Sequence, residues 1–155
     1  RMTHDELARQ HRYNSVTAPL GAVLVVRAFE VWTHTDDIRR ATGRAPAAPD
    51  PSTLATMTAL AAELLVPTIV AAAGEPLGPS SIRLVLTGVG GGTWDRAIGD
   101  EPAPDEPDTV LVADAVGYCR LLAARTTVDE LAPIIVGRRL LAELALAGAP
   151  TNALD

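Results

Sequence analysis

The chain has 155 residues, is 48% hydrophobic and carries a formal net charge of -6, from 13 basic and 19 acidic residues. This size and apolar content predict one or two small folded domains, and the negative charge argues against nucleic acid and anionic membranes as partners. The single cysteine excludes an internal disulfide. Every apolar run is shorter than the about 20 residues that a membrane helix needs. We therefore expect a cytoplasmic protein.

The first part of the chain has the pattern of helices. Residues 3–13 begin with Thr3 and Glu6 at capping-box spacing, which predicts a helix. Pro19 then opens a second helix, which is predicted to run through about Thr42 and to stop at Gly43. Its early part, LGAVLVVRAF, is apolar nearly all round, so we expect it to be buried among other helices.

A third helix follows the proline-rich linker at 44–52. Ser52 or Thr53 is its expected N-cap, and the predicted helix covers 53–74 and stops at Gly74. Pro67 removes one hydrogen-bond donor inside it, which predicts a kink or a division. Residues 1–74 are therefore predicted to form a helical domain.

The pattern changes in residues 75–155. SIRLVLTG alternates with a period of two, the glycines of GVGGG supply a turn, and TWDRAI returns, which predicts a hairpin. TVLVAD at 109–114 is predicted to be a third strand. Asp114 is the expected N-cap of a helix over 114–125, and residues 127–148 are predicted to contain one or two more helical segments. The predicted class is α+β, a partial helical bundle followed by a small antiparallel sheet packed with helices.

Ionisable residues are concentrated in RAFEVWTHTDDIRR, inside the second helix. Glu30 and His34 are four residues apart, and Asp37 follows three residues later, so all three fall on one stripe of a helix. A carboxylate and an imidazole on adjacent turns can bind one divalent metal such as zinc, with Asp37 orienting His34. The alternative is an ordinary Glu–His pair on a solvated helix face.

Three stretches in the same order resemble one protein family. RAFEVWTHTDDIRRATGR, IRLVLTGVGGGTWDRAIG and VADAVGYCRLLAAR are similar to segments of the mycothiol-dependent maleylpyruvate isomerase family, over most of residues 20–148. The resemblance implies a DinB-like metal-binding bundle in residues 1–74 and a sterol-carrier-protein-like domain in residues 75–155. It implies Glu30 and His34 as metal ligands, zinc as the ion and mycothiol as the thiol cofactor.

The resemblance also implies a reaction, and it leaves the third metal ligand unassigned. A metal-bound thiol would add to the double bond of a small electrophilic acid such as maleylpyruvate, and elimination after bond rotation would give the trans isomer. Arg125 is the candidate for holding a substrate carboxylate.

The family's third metal ligand is a histidine on an early helix. The sequence before Glu30 is too short for the whole bundle, so we expect that part to be missing or supplied by a second chain, with His4 and His11 as weaker alternatives.

Other residues have simpler explanations. Arg125 also fits a helix C-terminus, where a cation favours the helix dipole. Cys119 has no histidine near it in sequence and is expected to be a buried structural thiol. GVGGG leads into a strand and lacks a following Lys-Ser/Thr, so it predicts a hairpin turn instead of a phosphate site. The alternative function is a small-ligand or partner-binding module without chemistry.

Overall fold

The computed structural model describes residues 2–13, 16–99 and 102–153. The chain divides into two compact units, Arg1–Ala47 and Ala48–Asp155. The second unit contains a sheet packed against helices, and the predicted α+β class is confirmed.

The first unit begins with a short capped helix, α1 (His4–Ala8). The Thr3 hydroxyl accepts from the Glu6 amide at 3.3 Å and the Glu6 carboxylate accepts from the Thr3 amide at 2.7 Å, so the predicted capping box is present. The predicted continuation to residue 13 is wrong. Strand β1 (Gln10–Tyr13) pairs antiparallel with β2 (Val16–Pro19), because these polar residues offer a helix no apolar face to bury.

The long helix α2 (Leu20–Ala41) follows directly. It ends as predicted, with Gly43 in the left-handed conformation at φ 68°. The predicted burial of its early part, residues 20–29, is wrong, because Leu24 is 44% exposed and no residue of that stretch is fully buried. In the described part of this unit, the elements beside α2 are the five-residue α1 and a hairpin, which are too small to cover its apolar surface.

The second unit begins with the long apolar helix α3 (Pro51–Ala73). Its N-cap is Asp50 instead of Ser52 or Thr53, because the Asp50 carboxylate accepts from both of their amide groups at 3.1 Å. The helix runs through Pro67 without being divided, and it ends at Gly74 as predicted.

The sheet has four strands in the order β4-β3-β5-β6. Their bounds are β3 (Ser80–Thr87), β4 (Gly92–Ile98), β5 (Thr109–Asp114) and β6 (Ile134–Gly137). The predicted hairpin of β3 and β4 is confirmed. The predicted three-stranded antiparallel sheet is wrong, because β5 runs parallel to β3 and β6 adds a fourth strand. The segment between β4 and β5 is long enough to return the chain to the end where β3 starts, which makes the parallel pairing possible.

Three further helices complete the second unit. Asp114 caps α4 as predicted, with its carboxylate accepting from the Gly117 amide at 2.8 Å. The elements are α4 (Ala115–Leu122), α5 (Val128–Leu131), α6 (Arg139–Gly148) and a short 3-10 helix (Ala149–Asn152). Helices α3, α4 and α6 contact the sheet, and the core between them contains Met57, Leu65, Ile69, Ile82, Leu84, Leu111, Tyr118, Leu121 and Leu146.

Helix α3 belongs to this second unit, so the division of the chain differs from the boundary predicted after residue 74. The Arg96 guanidinium on β4 donates to the Ala62 carbonyl at 3.2 Å and to the Glu63 carboxylate at 2.7 Å. The Thr58 hydroxyl donates to the Gly90 carbonyl at 2.6 Å. Of the described helices, α3 alone is long and apolar enough to cross a membrane by length and composition, and here it supplies core residues.

Candidate functional site

The candidate ligands Glu30 and His34 lie one turn apart on α2, as the spacing predicts. The side chain of Glu30 is 17% exposed and that of Arg27, one turn before it, is 54% exposed. The Arg27 guanidinium donates a hydrogen bond to the Glu30 carboxylate, which holds the carboxylate in place.

His34 is more open to solvent than Glu30, with its side chain 69% exposed. Its Nδ1 lies 3.9 Å from the carboxylate of Asp37, which is beyond hydrogen-bonding distance. Asp37 is thus the nearest carboxylate to Nδ1 among the contacts of His34, and it would have to move closer to accept the hydrogen bond that orients a metal-binding histidine.

The described residues supply an incomplete set of ligands for a metal. Across 2–13, 16–99 and 102–153, no group of three or more His, Cys, Asp or Glu side chains is arranged to hold an ion. His4 lies in α1 and His11 in β1, and neither joins Glu30 and His34 in such a group. Carboxylate oxygen and imidazole nitrogen are donors that suit zinc, so by donor type Glu30 and His34 would supply at most two ligands of a four-coordinate site.

The opposite side of α2 is held by the segment that follows it. The Trp32 indole donates to the Ala47 carbonyl at 2.8 Å, and the Asp36 carboxylate accepts from the Ala47 amide at 3.1 Å. The ring of Phe29 meets that of Trp32 edge to face at 6.2 Å. These contacts fix the orientation of the helix on the side away from Glu30 and His34.

Arg125 lies three residues beyond the end of α4, within the second unit. Its side chain donates to the Ala123 carbonyl at 2.9 Å, and its own amide donates to the Arg120 carbonyl at 2.8 Å. The simpler expectation for a helix-end arginine, a contact with the last carbonyl groups, describes this geometry well. A guanidinium has five donors, so it can bind an anion and a carbonyl oxygen at the same time.

Cys119 lies in the core of the second unit and is fully buried. Burial raises the pKa of its thiol to about 12, and the charge of Asp114 adds to the effect. A thiol in this environment stays protonated and is a poor nucleophile at neutral pH. The expectation of a structural cysteine agrees with this placement.

The second unit also contains an open groove that the sequence did not indicate. It encloses about 410 Å³ between α5, β6 and α6. Its walls are mostly apolar, and Asp129, Arg139 and Glu143 stand among them. The Arg139 guanidinium donates to the Glu143 carboxylate at 2.9 Å. The i,i+4 spacing of this pair is visible in the sequence. The groove, however, depends on strand β6, which lies in the stretch 127–148 that the sequence pattern predicted to be helical.

No protein-family model, curated protein or solved structure matches this chain. The family resemblance of the three sequence motifs therefore stays a prediction, and the chemistry of the described residues has to support any function.

Proposed function

We propose that the chain is part of a metal-dependent enzyme that uses a thiol cofactor either to isomerise a small electrophilic acid or to transfer the thiol to it. The observation that carries the proposal is the pairing of Glu30 and His34 on adjacent turns of α2, with Asp37 beside Nδ1 of His34. The motif resemblance to mycothiol-dependent maleylpyruvate isomerases supports mycothiol as the thiol and a maleylpyruvate-like acid as the substrate. A reducing cytoplasm suits such a cofactor.

Each residue has a defined task in this proposal. Glu30 and His34 hold a divalent metal, with zinc proposed from the oxygen and nitrogen donors. When bound, such a metal lowers the pKa of a coordinating thiol, which makes thiolate available at neutral pH. The Arg27 guanidinium positions the Glu30 carboxylate through its hydrogen bond, and Asp37, near Nδ1 of His34, is proposed to orient the imidazole ring. Arg125 is proposed to bind a substrate carboxylate.

The third protein ligand is proposed to come from outside the described residues. A second chain, or sequence outside the described ranges, would have to place a further histidine beside Glu30 and His34. The exposure of His34 is compatible with such a contribution, because its ring remains accessible from solvent.

The proposal is tested by activity of the zinc-loaded protein with mycothiol and maleylpyruvate. Glu30→Gln and His34→Ala are expected to lower the rate by about a hundredfold or more, since even outer-shell changes around a metal cost about 10–100-fold. Glu75→Gln, an exposed loop change, is the matched control and should keep the wild-type rate. If both helix variants keep full activity and zinc content, the proposal fails.

A second candidate is a non-catalytic small-ligand module, which the groove between α5, β6 and α6 favours. Its mostly apolar walls suit the body of a small amphipathic molecule, and its three charged side chains would bind a polar end. The test is fluorescence of an apolar anionic dye with wild type and with Ala147→Trp, which fills the groove from its rim. Loss of dye binding supports this candidate, and unchanged binding rejects the groove as the site.

A further inference from the structure

Strand β6 is an edge of the sheet, so one side of its backbone faces away from β5. The Arg138 amide donates to the Asp108 carbonyl at 2.8 Å, one position beyond the last pair of the ladder. Opposite residues in an antiparallel ladder alternate between hydrogen-bonded and non-hydrogen-bonded pairs. This bond therefore makes Ile134 and Val136 the residues of β6 that bond to β5, and it leaves the N–H and C=O of Ile135 pointing outward.

The outward backbone groups of Ile135 are open to an incoming chain. In the part of the chain that the structure describes, neither its N–H nor its C=O hydrogen-bonds to another residue. A donor and an acceptor at a sheet edge match the C=O and N–H of another extended backbone. Pro133, two residues earlier, has no N–H, so the open edge is short and is centred on Ile135.

The groove of the second unit lies beside the same residue. Ile135 is opposite the fully buried Leu111, so its side chain is on the helix side of the sheet, where it lines the groove. Ile134 and Val136 alternate to the other side and are 62% and 56% exposed. In an added antiparallel strand, the residue opposite Ile135 would enter the groove, and its two neighbours would cover Ile134 and Val136.

The charges of the groove favour a basic occupant. Arg139 and Glu143 neutralise each other through the contact at 2.9 Å. Asp129 also lines the groove and is exposed, and no other described residue holds its carboxylate by a hydrogen bond or ion pair. The groove thus has one unbalanced negative charge in a chain whose net charge is -6. A cationic side chain complements it.

We propose that β6 binds an extended segment of another protein as a fifth, antiparallel strand of the sheet. An apolar side chain of that segment fills the groove, and a basic side chain on the same face meets Asp129. A second copy of this chain fits less well, because its segment 133–137 contains no basic residue. The proposal extends the second candidate function, since it uses the same groove, and it is independent of the metal pair on α2.

Fluorescence anisotropy of a labelled peptide, Lys-Val-Leu-Val-Lys, titrated with the full chain tests the proposal. Its leucine and lysines share the groove side, and its valines face Ile134 and Val136. N-methylation of the leucine removes the donor to the Ile135 carbonyl and should weaken binding by at least about tenfold. N-methylation of the first valine is the matched control, because that amide points away from β6, and it should change binding by less than about twofold.

The contribution of charge is tested on both partners. A peptide with glutamate in place of both lysines should bind at least about tenfold more weakly. Asp129→Asn should weaken binding of the lysine peptide by about threefold or more. Glu75→Gln removes an exposed charge outside the groove and should leave this binding unchanged, which separates Asp129 from the general negative charge of the chain.

The outcomes distinguish strand addition from other uses of the groove. Selective weakening by the leucine N-methyl group, together with the effect of Asp129→Asn, supports the proposal. No binding up to about 1 mM, or equal affinity of the two methylated peptides, overturns it. Self-association of the chain that the peptide disrupts would assign the edge to a second copy and also overturn it. If Ala147→Trp removes dye binding while the methylated peptides bind equally, the small-ligand candidate stands and strand addition alone fails.

Discussion

Trp32 and Asp36 bind the two backbone polar groups of the same residue, Ala47. The indole donates to its carbonyl at 2.8 Å and the carboxylate accepts from its amide at 3.1 Å. The chain after α2 is thereby returned onto the helix, one turn of which separates these two side chains. The arrangement explains why an acidic residue, Asp36, is only 3% exposed on the side of α2 opposite Glu30 and His34.

Removing the Asp36 carboxylate should release the segment after α2. Asp36→Ala leaves the Ala47 amide without its acceptor and removes the partner of Arg40, which lies 3.4 Å away. We expect a loss of about 1–3 kcal/mol in the stability of the first unit. Hydrogen exchange at the Ala47 amide measures the release directly, and Asp36→Asn should retain most of its protection. Equal protection in wild type and Asp36→Ala would contradict this account.

Gly90 should be intolerant of a side chain. It has φ 74°, and a Cβ there would lie 2.8 Å from the side chain of Leu54. We expect Gly90→Ala to lower the free energy of unfolding by about 1–3 kcal/mol, from backbone strain and overpacking together. Urea unfolding provides the measurement. Gly78→Ala is the control because a Cβ at Gly78 would have nothing within 4 Å of it, and equal stability of the two variants would refute the close approach.

Stability should fall in acid through Asp108. Its carboxylate accepts from the Ser81 amide at 2.8 Å and hydroxyl at 3.0 Å, and these hydrogen bonds hold its pKa below the usual value. A depressed carboxyl pKa adds stability above the unfolded-state pKa near about 4, and that stability is lost as the pH falls through the folded-state pKa. In thermal unfolding measured from about pH 7 to about pH 2, the unfolding temperature of Asp108→Asn should fall less with decreasing pH than that of wild type. The exposed-site variant Asp129→Asn should behave like wild type.

Cys119 should resist thiol reagents while the chain is folded. The residue is fully buried and its pKa is raised to about 12, so thiolate is scarce at about pH 8. Reaction with an aromatic disulfide is expected to be slow in buffer and to accelerate with urea as the second unit unfolds. Rapid stoichiometric reaction without denaturant would show that the α4 core opens readily.

Local signals in the sequence predicted much of the fold. The Thr3–Glu6 capping box, the stops at Gly43 and Gly74, the β3–β4 hairpin and the Asp114 cap depend on neighbouring residues, and all are present. Long-range pairings were not predictable in this way. The parallel pairing of β3 with β5, and the assignment of β6 to the sheet, depend on contacts between residues far apart in sequence.

The candidate site shows the same limit. Helical spacing placed Glu30, His34 and Asp37 on one stripe, which the structure confirms as geometry. Their role as metal ligands stays a prediction. The groove beside α6 was missed because IIVG has the composition of either a buried helix segment or a strand, and pairing with β5 decides between them.

Zinc titration by calorimetry, with the full chain at neutral pH, tests the central claim most directly. If Glu30 and His34 are ligands, His34→Ala and Glu30→Gln should each weaken zinc binding by at least about tenfold relative to wild type, and Glu75→Gln should not. His4→Ala and His11→Ala, measured beside them, would reveal a third ligand from within the chain. Zinc binding that is equal in wild type, His34→Ala and Glu30→Gln would contradict the assignment of this pair as a metal site.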